Sequence, residues 1–158
     1  CGAILHEVIA AAELLEKDFK VTSDIWSVTS FNELARDGQA ATRQNLLNPE
    51  AKKPTLSYVE ECLSGQEGPV IASTDSMKSY AEQIRAYVPG RYSVLGTDGF
   101  GRSDSRENLR RFFEVDRYYV AVAALKALAD EGTISAKEVS KAIKLYNIDV
   151  NKPNPLFS

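Results

Sequence analysis

The chain has 158 residues, 44% hydrophobic and 26% charged, with a formal net charge of -3. This suits one globular domain with a sizeable core and gives no basic footprint for a nucleic-acid backbone. There is no run of about 20 apolar residues to span a membrane and no basic-then-apolar leader, so neither nucleic acid nor membrane is an expected partner.

The two cysteines, Cys1 and Cys62, are far apart and lack C-x-x-C spacing, so reduced thiols and a cytoplasmic setting are expected. The chain opens on Cys1-Gly2 and runs at once into a helical pattern. The expectation is a fragment whose preceding strand lies before Cys1.

The first helix is expected over Ala3–Lys17. Ile4, Val8, Ala11 and Leu15 share one face, and Glu7, Glu13, Glu16 and Lys17 lie largely opposite. His6, the single histidine, has no clustered ligands around it and reads as a surface residue. Val21–Val28, β-branched and carrying Trp26, has strand character. Ser30 and Glu33 form a capping-box pattern opening a helix to about Leu47, weakened in its middle by Gly38. Thr55–Leu63 reads as a short helix, and Val70–Ser73 as a strand buried on both faces. Asp75 is placed to cap a helix over Met77–Val88, and Tyr92–Leu95 is the next strand.

After the loop that follows, Asp104 and Glu107 suggest a capping box opening a helix to about Phe113, with Phe113–Val115 as a brief fourth strand. Arg117–Asp130 is the most apolar helix, and Gly132 suits its C-terminal cap. Ser135 and Glu138 pattern as a third capping box, for a helix to about Tyr146, before an extended tail. Strands alternating with helices predict an α/β fold with a mostly parallel sheet of three or four strands.

The chemical question centres on Leu95-Gly-Thr-Asp-Gly-Phe-Gly-Arg-Ser-Asp-Ser-Arg-Glu107. Strand, glycine-rich loop and helix are the order of a phosphate cradle. The spacing matches neither G-x-G-x-x-G nor the P-loop, however, and Asp98 and Asp104 would repel an anion. The loop reads instead as a sharp turn knitted by Asp98, Arg102 and Asp104, with Phe100 either folding back or projecting toward a partner. Arg106 and Arg110 lie one helical turn apart, and Glu107 and Arg111 are spaced as an i,i+4 pair. That face is either solvated or an ion-paired domain contact. No nucleophile–base pair is readable, and the carboxylate pairs Glu60-Glu61 and Asp130-Glu131 are helix neighbours that point apart, so no catalytic, cofactor-binding or metal residue is assigned. The candidate interface is Asp98, Phe100, Arg102, Asp104, Arg106 and Arg110.

Leu95–Arg110, Phe113-Glu-Val-Asp116 and Val122–Ala129, with Val28–Gln39, Ala72–Asp75, Ala81–Ile84 and Asn154-Pro155, resemble the C-terminal domain of the homodimeric bacterial pyruvate dehydrogenases. These are transketolase-like enzymes, the decarboxylating first component of the pyruvate dehydrogenase complex. The resemblance covers the whole chain. It implies a three-layer α/β/α transketolase C-terminal-like domain. The parent would use thiamine diphosphate and Mg2+ to decarboxylate pyruvate and reductively acetylate the lipoyl group of the acyltransferase component. In that family the third domain does not supply the principal cofactor ligands, so the fragment alone is expected to be inactive. Its implied partners are the remaining domains and the second subunit. Two alternatives stay open: a free-standing small-anion-binding module, and the same domain from another 2-oxo acid dehydrogenase or a transketolase.

Overall fold

The computed structural model describes residues 2–158, so Cys1, and any pairing of it with His6, lies outside the described residues. A 3-10 turn, Gly2–Ile4, leads into α1 (Leu5–Phe19). Then come α2 (Phe31–Leu47), α3 (Tyr58–Leu63), β1 (Val70–Ser73), α4 (Lys78–Glu82) and β2 (Tyr92–Leu95). They are followed by α5 (Arg106–Phe112), α6 (Arg117–Asp130) and α7 (Ala136–Leu145).

β1 and β2 pair in parallel, with Val70 opposite Tyr92 and Ser73 opposite Leu95. Side-chain alternation along β2 sends Tyr92 and Val94 into one core and Leu95 toward the other. The first core joins α2, α3 and α4 through Phe31, Ala35, Val59, Ala81, Ile84 and Val88. The second joins α1, α6 and α7 through Ala11, Leu15, Val120, Leu125, Val139 and Tyr146. Helices therefore cover both faces of the sheet, the three-layer arrangement expected. Leu125 is fully buried, a placement that stabilises by about 2 kcal/mol.

The sheet has two strands among the described residues, not three or four. Val21–Val28 is extended but forms no strand, and Ile25 and Trp26 are exposed. Strand propensity expresses itself only beside a partner, and no described backbone group bonds to residues 22–29 across a ladder. Phe113–Val115 is likewise no strand, because Glu114 turns at φ 61 and the chain drops directly into α6.

Several helix starts differ from expectation. α3 begins at Tyr58, where Ser57 and Glu60 form a complete capping box. Ser30 accepts from the Glu33 amide, but the Glu33 carboxylate turns to Arg36 and does not return. Ser135 makes no side-chain cap; its carbonyl accepts from Glu138. Asp75 does not cap the following helix, which starts at Lys78 and breaks after Glu82 into a 3-10 turn at Arg85–Tyr87. Gly38 is not a weak point: a Cβ there would enter the Tyr87 ring, so its hydrogen lets α2 sit against that aromatic.

Candidate functional site

The loop after β2 is built onto the loop after β1. Thr97 N–H donates to the Ser76 carbonyl (2.9 Å), and its hydroxyl donates to the Asp75 carbonyl (2.9 Å). Asp98 Oδ1 accepts from the Lys78 amide (3.1 Å), so the α4 cap comes from 20 residues downstream rather than from Asp75. Gly96 permits this approach: a Cβ there would stand 2.8 Å from both Lys78 N and Ser76 O. Gly99, at φ 117, lies against the Pro155 carbonyl, where a side chain has no space. Gly101 has open space around it. Two of the three loop glycines thus serve close backbone contact with protein, leaving no cradle for a phosphate.

Phe100, between them, is 75% exposed and projects from the tip. Arg102 lies over the Phe112 ring, 4.0 Å from its centroid, and Lys152 approaches the same ring at 5.0 Å. The cap of α5 is Ser105, which accepts from the Asn108 amide (3.3 Å), and not Asp104. Asp104 sits one residue outside, accepting from the Ser105 amide (2.7 Å) and the Asn108 side chain (2.8 Å). Those hydrogen bonds hold its carboxyl below the usual range. Glu107 takes no part in a capping box and does not pair with Arg111.

Arg111 instead reaches Asp116 (3.1 Å) and the carbonyls of Tyr146 and Asn147 (2.8 and 2.7 Å), tying α5 to the end of α7. Of the two arginines expected on one face, Arg106 stays exposed and Arg110 turns inward to Glu7. Glu7 is the residue most misplaced by the sequence reading. It is 5% exposed and accepts from Arg110 (3.1 Å), the Arg117 amide (2.9 Å) and the Arg117 guanidinium. Burial pushes its carboxyl up, but the bonds from Arg117 and the charges of Arg117 and Arg110 outweigh that and hold it below the usual range. A signal for it existed: Glu7 stands three residues after Ile4 and four before Ala11, inside the buried stripe. Phe112, Lys152 and Pro155 had no local signal, since their roles arise only where distant segments meet.

Of the six candidate residues, Asp98, Phe100 and Arg102 belong to the loop, and Asp104, Arg106 and Arg110 to the start and inner face of α5. Arg102, Arg106 and Arg110 also line a cleft of about 400 Å³ between the loop, Ala3 and α5, with Asp75 on its wall. Among the described residues no group of three or more His, Cys, Asp or Glu is placed to hold a metal ion. No described helix is long and apolar enough to cross a membrane.

The family described as Transketolase-like TK C-terminal domain matches residues 1–116. The chain is 64% identical over 156 residues to the pyruvate dehydrogenase E1 component of Pseudomonas aeruginosa, covering 98% of this chain and 18% of that protein. It is 61% identical over 155 residues to the namesake from Cupriavidus necator, and 56% identical over 155 residues to that from Escherichia coli K12. Each of those two matches covers 98% of this chain and 17% of the relative. The chain therefore spans less than a fifth of the length of these curated relatives.

Proposed function

The chain belongs to the transketolase-like C-terminal domain family, and from that premise we propose that it is the C-terminal assembly domain of a homodimeric pyruvate dehydrogenase. The parent would decarboxylate pyruvate with thiamine diphosphate and Mg2+ and pass the acetyl group to a lipoyl acyltransferase partner, in the cytoplasm. The observation that carries this reading is identity of 56–64% to pyruvate dehydrogenase E1 components along 98% of the chain.

The described donor set does not fit either cofactor. The loop amides of Thr97 and Lys78 are engaged within the protein, and no oxygen-ligand cluster stands ready for Mg2+. This supports placing thiamine diphosphate and Mg2+ on other parts of the parent. The contribution of this domain is then structural: the exposed Phe100 and Arg106 face the remaining domains or the second subunit.

Residues 1–158 form one domain. Val21 packs into the α1/α6/α7 core and Val28 into the α2/α3/α4 core, so Val21–Val28 crosses from one layer to the other as a sheet strand would.

In the intact dimer, Phe100→Ala and Arg102→Ala should weaken assembly or activity more than folding, read by sedimentation and turnover beside thermal melting. If both variants lose thermal stability alone, the loop is not an interface. Calorimetry on the 158-residue chain should show no thiamine diphosphate binding with Mg2+; tight Mg2+-dependent binding would overturn the assignment. The arginine-lined cleft favours a second reading, a small-anion module, opposed by the Asp75 carboxylate on its wall and by Glu7 beside Arg110. A phosphate and nucleotide panel that leaves the melting temperature unmoved ends that reading.

A further inference from the structure

Three segments, Gly99–Arg102, Phe112–Glu114 and Lys152–Phe157, meet beneath the exposed loop tip. Gly99 presses on the Pro155 carbonyl, and a Cβ at Gly99 would also lie 3.5 Å from Leu156 Cα. Lys152 Nζ donates to the Phe112 carbonyl (2.8 Å) and pairs with Glu114 (3.1 Å). The Phe112 ring receives two cations, Arg102 from the loop and Lys152 from the tail. Asn154 accepts from the Leu156 amide (3.0 Å), which fixes the 3-10 turn Pro155–Phe157 against the loop. Pro155 is buried in this contact.

We propose that the C-terminal segment Lys152–Phe157 is a strap that positions the Gly99–Arg102 loop, with Lys152 and Pro155 as its positioning residues and Phe112 as the shared anchor. Loop and tail then order one another. The Gly99–Pro155 contact has no slack, and the Phe112 ring carries one cation from each side. The direction in which Phe100 projects depends on residues more than 50 positions later. This inference rests on the interface reading of Phe100 only for its use; the coupling itself stands on the contacts.

Amide hydrogen exchange of the intact protein carrying this sequence tests the coupling through cross-effects. Lys152→Met removes the tail's charge and its bond to Phe112 while leaving the loop sequence untouched. It should raise exchange roughly tenfold at the Thr97 and Lys78 amides, which hold the loop, with β1, β2 and α6 unchanged. Gly99→Ala should reciprocally raise exchange at residues 154–157 by a similar factor. Effects confined in each variant to its own segment would overturn the strap. So would a rise spread evenly over the whole domain, which would show general destabilisation instead. If the cross-effects appear while Phe100→Ala leaves assembly and turnover intact, the strap stands and the interface reading fails. If Phe100→Ala disrupts assembly and the cross-effects are absent, the reverse holds.

Discussion

Phe100 and Trp26 are both exposed aromatics, and they are exposed for opposite reasons. The backbone leading up to Phe100 is anchored, by Thr97 on Ser76, Asp98 on Lys78 and Gly99 against Pro155. Around Trp26 the backbone of residues 22–29 forms no described ladder, and Ile25 and Trp26 lie open together at 41% and 51% exposure. The first aromatic is held out by a fixed support. The second lies on a segment that has strand chemistry but no paired strand among the described residues. Exposure alone does not separate a presented residue from an incomplete one; the hydrogen bonding of the backbone beneath it does.

The largest test of this contrast is hydrogen exchange at residues 22–29. In the 158-residue chain these amides should exchange near the unprotected rate. In the intact protein a paired strand should slow them on the order of a thousandfold. Equal rates in both would show that this segment gains no strand partner in the intact protein, and the Thr97 amide beneath Phe100 should show no such difference.

A smaller effect concerns the support beneath the loop. Glu7→Ala leaves Arg110 and Arg117 facing an empty buried site. It should cost about 3 kcal/mol, toward the low end for a broken buried pair because both arginines keep contact with water. Urea midpoints at pH 7 measure it. The folded carboxyl of Glu7 is held below its ordinary value of 4.5. Its stabilisation is therefore complete above that value and is lost as pH falls through the lower, folded one. The penalty of Glu7→Gln should accordingly shrink in acid, and a pH-independent penalty would show that the charge does not matter.

Asp98→Ala removes the cap on α4 and should cost about 1 kcal/mol, read by thermal melting. Smallest of all, Phe100→Ala and Trp26→Ala should each change the stability of the 158-residue chain by less than about 0.5 kcal/mol. In the intact protein Trp26→Ala should become the more destabilising of the two, because it then sits in a completed sheet. Equal effects there would erase the distinction drawn here.

Much of the helical frame was legible in the sequence. The bounds of α6 follow the apolar run Arg117–Asp130 with Gly132 beyond it, and α2 starts where the Ser30 capping pattern puts it, while the Asp116 cap on α6 was not read. β1 and β2 were legible because their apolar runs are short and sharply bounded. Val21–Val28 was misread because its propensity is real while the partner that would express it is not among the described residues. The caps at Asp75 and Asp104 were misassigned because the adjacent Ser105, and Asp98 from across the loop, reach the open amides instead. Within the candidate site, the turn and the exposed Phe100 could be expected from the glycines, but the ring of Phe112 between two cations could not. That arrangement depends on three segments, the loop, the end of α5 and Lys152–Phe157, meeting around Phe112, and no local pattern encodes it.

The bonds of Glu7 to Arg110 and Arg117 span 103 and 110 residues of sequence. Bonds of that span also set an order of events during synthesis. α1 emerges from the ribosome among the earliest parts of this domain, yet the side chains that cover it come from α6 and α7. At ordinary translation speeds its apolar face waits on the order of ten seconds for them. During that interval α1 is a natural client for a chaperone, and the buried carboxylate can close only once the chain has been made past Arg117.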